Sequence, residues 1–185
     1  MIGAITAGLL SGGVAAATNS YESISTVTVG AGGQSGISFT SIPSTYKHLQ
    51  LRFMARVTDA TTLDNFTLRF NSNSSGSYTT HYLSGSGSSA SGSYVTIGGD
   101  RLYMGRLTGA NSTSGMFGVG VIDILDYQNS NKYKTVRSLS GQDQNGSGDL
   151  FFWSGLFSST SGISEINLLN TYAQFSSFAL YGIKG

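Results

Sequence analysis

The chain reads as a succession of short stretches in which apolar and polar residues alternate. The clearest is 47–57, K-H-L-Q-L-R-F-M-A-R-V, where Leu49, Leu51, Phe53, Ala55 and Val57 alternate with His48, Gln50, Arg52, Met54 and Arg56. A period of two predicts a strand with one face for a core and the other for water or a partner. The one proline, Pro43, lies just upstream in Ser41-Ile42-Pro43-Ser44-Thr45. There it fixes a turn and stops the preceding strand.

The same reading extends from residue 21 to the end. Residues 21–29 alternate, but the face assignment slips partway, as at a β-bulge. Gly30-Ala31-Gly32-Gly33 reads as a hairpin loop, with 36–40 pairing back. The stretch 64–71 points Phe66, Leu68 and Phe70 inward. Residues 77–83 form a Tyr/Thr-rich strand, and 84–92 read as a Ser/Gly linker-like loop. Short strands are expected at 94–97 and 101–107, and a strong one at 116–127. In that strong strand Gly118 and Gly120 share a face with Ile122 and Ile124, as when a bulky group comes close. Residues 132–140 read as a half-exposed strand, and Asn145-Gly146 marks a hairpin turn. The aromatic stretch 150–157, L-F-F-W-S-G-L-F, and strands at 163–169 and 174–184 complete the chain. About eleven short strands with regular turns and no helical periodicity predict an all-β fold. The expected form is an antiparallel β-sandwich, most simply jelly-roll-like.

Residues 1–20 differ from the rest, being apolar, small and free of charge. Ala15-Ala16-Ala17 resembles a signal-peptide cleavage site, but no Lys or Arg precedes the apolar run. The expectation is therefore a retained N-terminal arm, extended or short-helical, followed by a sandwich domain at 21–185. The run is too short and glycine-broken for a membrane span. Buried together, Ile2, Ile5, Leu9, Leu10 and Val14 would gain on the order of 10 kcal/mol. Burial against a partner is the simplest way to order such an arm, so these five residues are the expected anchor.

Composition narrows the class further. Only 10% of the 185 residues are charged, whereas 39% are hydrophobic, and 26 are glycine and 31 serine. An ordinary soluble domain is about 25% charged. The net charge of +1 comes from singly scattered residues with no basic stripe, which argues against a nucleic-acid partner. So poorly charged a surface suits one covered by copies of itself or by neighbours. The absence of cysteine excludes disulfides, thiol chemistry and Cys-ligated zinc.

Candidate chemistry is sparse. His48 and His81 are the only histidines, and neither lies in a nucleophile motif such as G-x-S-x-G. Asp143, Asn145, Ser147 and Gly148 match the first positions of a calcium loop, but Ser154 stands where a bidentate Glu is needed. A polar hairpin turn is the simpler reading. Neither a catalytic, a metal nor a cofactor site is therefore assigned. Phe152, Trp153 and Phe157 are candidate ligand or interface aromatics, although alternation must send part of their stretch into the core. Asp123 needs a cationic partner if its face is buried, and Arg137 on the following strand is the candidate. The Asn-x-Ser/Thr matches at Asn65, Asn73, Asn111 and Asn145 are expected by chance in so Asn- and Ser-rich a chain.

Several phrases carry a resemblance. They are 19–24, N-S-Y-E-S-I; 38–52, S-F-T-S-I-P-S-T-Y-K-H-L-Q-L-R; 121–127, V-I-D-I-L-D-Y; 131–139, N-K-Y-K-T-V-R-S-L; and the ending 178–185, F-A-L-Y-G-I-K-G. Together they resemble small virion proteins of tailed phages, many from marine and cyanobacterial hosts. The resemblance implies a structural, fibre-like, tail or capsid-decoration component at the particle surface. Its partners would be other virion proteins and copies of itself, most simply as a homotrimer, and it implies no site residues. The alternative expectation is a carbohydrate-binding module that attaches the particle to a host-surface glycan.

Overall fold

The computed structural model describes residues 20–185, and within them the chain is all-β. Twelve strands follow in order: β1 (Tyr21–Thr28), β2 (Gln34–Phe39), β3 (His48–Ala55), β4 (Leu63–Phe70), β5 (Tyr78–Gly85), β6 (Ala90–Gly99), β7 (Leu102–Thr108), β8 (Gly118–Ile124), β9 (Lys134–Asp143), β10 (Gly148–Phe157), β11 (Ile166–Tyr172) and β12 (Ser177–Ile183). They form two antiparallel sheets. The large one has eight strands in the order β1-β12-β3-β8-β9-β10-β5-β6, and the small one has four in the order β2-β11-β4-β7. The two pack face to face as a sandwich around one core.

The alternation at 47–57 decides the large sheet's orientation. Leu49, Leu51, Phe53 and Ala55 are buried between the sheets, while Arg52 and Met54 face away. From the small sheet, Phe66, Leu68 and Phe70 meet them, as their spacing predicts. Phe66 is the centre of this contact. Its ring lies 4.4 Å from Phe53, 6.2 Å from Phe178 and 6.4 Å from Tyr172. Gly120 answers the expectation of a close approach, because a β-carbon there would sit 2.4 Å from the Phe53 ring. The bulge expected in the first strand falls between Ser23 and Ser25. Asn145 (φ 55°) and Gly146 (φ 121°) form the tight turn between β9 and β10, as their sequence requires.

Three expectations are corrected. Residues 30–33 do not close a hairpin: β1 pairs with β12 in the large sheet and β2 with β11 in the small one, so this loop crosses between the sheets. Residues 84–92 are not a linker: β5 runs to Gly85, β6 begins at Ala90, and only four residues turn between them. Serine pairs knit this hairpin, Ser84 Oγ to Ser91 Oγ at 3.1 Å and Ser86 Oγ to Ser89 Oγ at 2.9 Å. The strands expected at 94–97 and 132–140 are also longer, each running ten residues.

The five expected anchor residues, Ile2, Ile5, Leu9, Leu10 and Val14, lie outside the described residues.

Candidate functional site

The mismatch between eight strands and four creates two surfaces. The outer face of the large sheet has no second layer over it. On that face, ladder pairing places Val121, Leu139, Phe152 and Leu83 side by side across four adjacent strands. Met54 pairs with Val119 in the next row, and Leu150 lies over Gly141, where a β-carbon would be 2.7 Å from a Leu150 methyl. The result is a continuous apolar patch. Val119, Val121, Leu139 and Leu150 of this patch floor a groove of about 1120 Å³, walled by the β9–β10 turn, the β5–β6 turn and Met116-Phe117. A third row is polar. Arg137 Nε donates to Asp123 at 3.0 Å, and Gln50 Nε2 donates to the other Asp123 oxygen at 2.8 Å. Arg52 packs over the Tyr181 ring at 4.9 Å.

The second surface lies on the inner side, where the end of β5 and β6 extend past β7, the edge strand of the small sheet, which packs on β9 and β10. A cleft of about 540 Å³ opens there. Its floor is aromatic, with Tyr82 4.9 Å from Trp153 and Phe151 5.7 Å from Trp153. Arg106, from β7, sits 5.9 Å over Phe151. Asn65, Asp149, Ser84 and Ser91 add polar walls. Among the described residues neither Arg106 nor Asp149 forms an ion pair. Asp149 accepts only from Gln142 Nε2, at 3.0 Å. The indole N–H of Trp153 is buried without an acceptor, and Ser138 Oγ, Ser140 Oγ and Gln142 Oε1 on neighbouring β9 are likewise unpaired. Buried polar groups without partners are uncommon in folded proteins.

The three candidate aromatics therefore separate. Phe152 is half exposed on the outer patch. Trp153 is buried but lines the inner cleft. Phe157 belongs to neither surface; it is core, stacked on Tyr78 at 4.9 Å, because its parity on β10 turns it between the sheets. Asp123 and Arg137 do pair, but at the surface rather than in a buried layer.

The histidines lie apart. His48 Nδ1 accepts from the Asp126 backbone N–H at 2.9 Å and is 3.6 Å from the Asp126 carboxylate. With Nδ1 engaged as an acceptor, the ring cannot donate to that carboxylate from the same nitrogen, unlike the histidine of a triad. His81 is exposed on the outer face beside Tyr94. Asp143 caps its own turn, accepting from Asn145 N at 2.7 Å. Among the described residues no three His, Asp or Glu side chains gather as metal ligands.

Compared with known protein families, curated proteins and solved structures, the chain finds no match.

Two cations at opposite ends of the sheet hold loops in place and carry no sequence signal. Arg56 donates to four backbone carbonyls, of Ala110, Ser112, Thr113 and Met116, at 2.8–3.1 Å, and so holds the β7–β8 loop that walls the outer groove. Lys134 is fully buried, and its ammonium donates to the carbonyls of Asn129, Lys132 and Thr160 at 2.6–3.0 Å. Burial, with the neighbouring Lys132 charge, holds its pKa below the usual lysine value. Arg106 and Asp149 were equally silent in the sequence, since only the strand order brings them to one cleft.

Proposed function

We propose that this chain is a non-enzymatic structural component of a tailed-phage particle, a fibre, tail or head-decoration protein. It joins the particle through residues 1–20 and packs against copies of itself through the outer face of the large sheet. The strand order supports a jelly-roll reading. β1-β12-β3-β8 faces β2-β11-β4-β7, as in two interleaved Greek keys, and the hairpin β5–β6 and the pair β9–β10 extend the larger sheet.

One observation carries the proposal. Met54, Leu83, Val119, Leu139, Leu150 and Phe152 share one face and are each 45–66% exposed. Monomeric proteins rarely leave so continuous an apolar patch in water. A second copy suits this face because its rim is electrically balanced: Arg52 and Arg137 oppose Asp123 and Asp143. Copies of the chain can therefore pack side by side through this face, as around a three-fold axis, without net repulsion.

Sedimentation of the full chain tests the reading. The wild type is expected to be oligomeric, most simply trimeric, and the double variant Leu139→Arg/Phe152→Arg monomeric with an unchanged circular-dichroism spectrum. A wild type that sediments as a monomer at high concentration would overturn self-association. For the arm, deletion of residues 2–17 should leave a folded domain that no longer joins the particle.

A second reading, a module that binds host-surface glycan, is favoured by the aromatic cleft on the opposite side of the same sheet. The two are compatible, because the apolar row and the aromatic floor lie on opposite faces and the groove and cleft share only Ser86 and Asp149 at the turns.

A further inference from the structure

We infer that the inner cleft is a saccharide site that takes a neutral hexose unit of a larger glycan, with Arg106 and Asp149 reading its hydroxyls over the Tyr82–Trp153–Phe151 floor. This inference rests on the glycan-binding reading and not on self-association.

The cleft follows from the strand order. The small sheet ends at β7, which covers the start of β5, where Tyr78 and Thr80 are buried and Tyr103 N donates to Thr80 Oγ1 at 3.4 Å, but not the end of β5 beside β6. The sequence fills this uncovered face with hydroxyls, Ser84, Ser86, Ser89 and Ser91, all of which line the cleft. A merely solvated edge needs no more than that. Yet the floor beside these serines is three aromatic rings within 6.0 Å of one another. An apolar floor with a few polar groups converging on it is the usual make-up of a small-ligand site, and about 540 Å³ falls within the roughly 300–1,000 Å³ such sites span.

The polar set selects the ligand class. Arginine only donates hydrogen bonds and an ionised aspartate only accepts them. Arg106 and Asp149 line the same cleft, and neither is neutralised by an ion pair among the described residues. A ligand hydroxyl can accept from the first while donating to the second, and a pyranose ring beneath it would present C–H groups to Tyr82, the one of the three rings that is only partly buried. A vicinal diol on a hexose supplies both functions at once. An anion would satisfy Arg106 but be repelled by Asp149, and an apolar ligand would leave both unpaired. Ser138 Oγ, Ser140 Oγ and Gln142 Oε1 on adjacent β9 are buried and unpaired, and the indole N–H of Trp153, whose ring lines this cleft, is buried without an acceptor. A ligand oxygen, or a water that the ligand holds, would provide one.

The chain has a single tryptophan, so its fluorescence reports on this cleft alone. The full chain is titrated with glucose, galactose, mannose, N-acetylglucosamine and their β-linked disaccharides, with sialic acid and inorganic phosphate as anionic arms. It is also applied to a glycan array. The inference expects a saturable change in Trp153 emission with at least one neutral sugar. Arg106→Ala and Asp149→Asn are each expected to weaken binding by about tenfold or more. Thr26→Ala, exposed on β1 at the far edge of the large sheet, should leave it unchanged. Ser91→Leu, which narrows the wall without touching the floor, should weaken binding in a chain of native circular dichroism and thermal midpoint. No saturable response and a blank array would overturn the inference. So would binding that survives both charge variants, or binding confined to phosphate and sialic acid. Sedimentation of the same samples reads self-association separately, so either reading can fail alone.

Discussion

Gly120→Ala adds one methyl group against Phe53, its cross-strand neighbour on β3 in the same sheet. The new β-carbon would lie 2.4 Å from Phe53 Cζ, 2.7 Å from Cε1 and 3.0 Å from the Leu139 carbonyl oxygen. Carbon atoms in contact prefer about 3.5–4.0 Å, so the ring edge must retreat by roughly 1 Å. It has little room to do so. Phe53 is buried, its centroid is 4.4 Å from Phe66, and Gly105 approaches closely from the other sheet, where a β-carbon would be 3.4 Å from Cζ. Overpacking of this kind costs about 1–3 kcal/mol. Replacing glycine by alanine regains about 0.5–1 kcal/mol through the unfolded chain. The net expectation is a loss of about 1–2 kcal/mol, or a fall of a few degrees in Tm for a domain of this size. Denaturant unfolding of a double-mutant cycle measures it. Phe53→Leu shortens the side chain, so in that background Gly120→Ala should become neutral or stabilising. Gly30→Ala is the control, because no atom lies within 4 Å of its β-carbon position. Additive effects in the cycle, or a Gly120→Ala protein more stable than wild type, would refute the close-approach reasoning.

Two further outcomes follow from charged groups. Lys134→Met removes the only side-chain donor to a ring of loop carbonyls in a fully buried position, and should cost about 2–4 kcal/mol by denaturant melt; an unchanged midpoint would mean that water satisfies those carbonyls equally well. Lys132, and then Lys47, hold the Asp126 carboxyl down to about 2 from its ordinary 3.8, while Arg101, and then Arg69, hold Asp100 well below the carboxylate range. A carboxyl with a lower pKa folded than unfolded binds fewer protons folded, so its stabilisation is complete above about pH 4 and is lost as the pH falls toward 2. Urea midpoints between pH 5 and 2 should fall for the wild type and fall less for Asp126→Asn, and parallel curves would contradict this.

The fold was legible wherever one side chain in two had to be buried. β3, β4, β8 and β10 could be placed from their alternation because both sheets press on their inner faces. The Asn145-Gly146 turn was legible because few residues tolerate its backbone angles. The β5–β6 hairpin was not. The start of β5 reads as a strand from its Tyr/Thr run, but the turn and the adjoining strand ends at 84–92 are nearly all serine and glycine, so no alternation of apolar and polar side chains marks them. The partner face was half legible. The even positions of β3 were open to water or a partner, but the row Val121, Leu139, Phe152, Leu83 is assembled from four separate strands and exists only through their register. The inner cleft was legible in one residue, Trp153. Arg106 and Asp149 lie far apart in sequence, and nothing local marks them as neighbours.

That contrast bears on what the added strands are for. In a two-layer sandwich the inner positions of each strand are apolar and the outer ones polar. β3 and β12 obey this, with Leu49, Leu51, Phe178 and Leu180 inside. Beyond the edge of the small sheet the rule inverts at the open end. There Ser84, Ser86, Ser89 and Ser91 face inward toward the cleft, while Leu83, Leu139, Leu150 and Phe152 face outward. A strand pair that only widened the sheet would gain nothing from leucines in water, and each half-exposed apolar side chain favours association. The inversion makes sense if the outer face is the buried one in the working assembly and the inner face is the one left open. Sheet extension, outer patch and inner cleft then have a single cause: the inserted strands supply a surface for copies of the chain on one side and a polar, aromatic recess on the other.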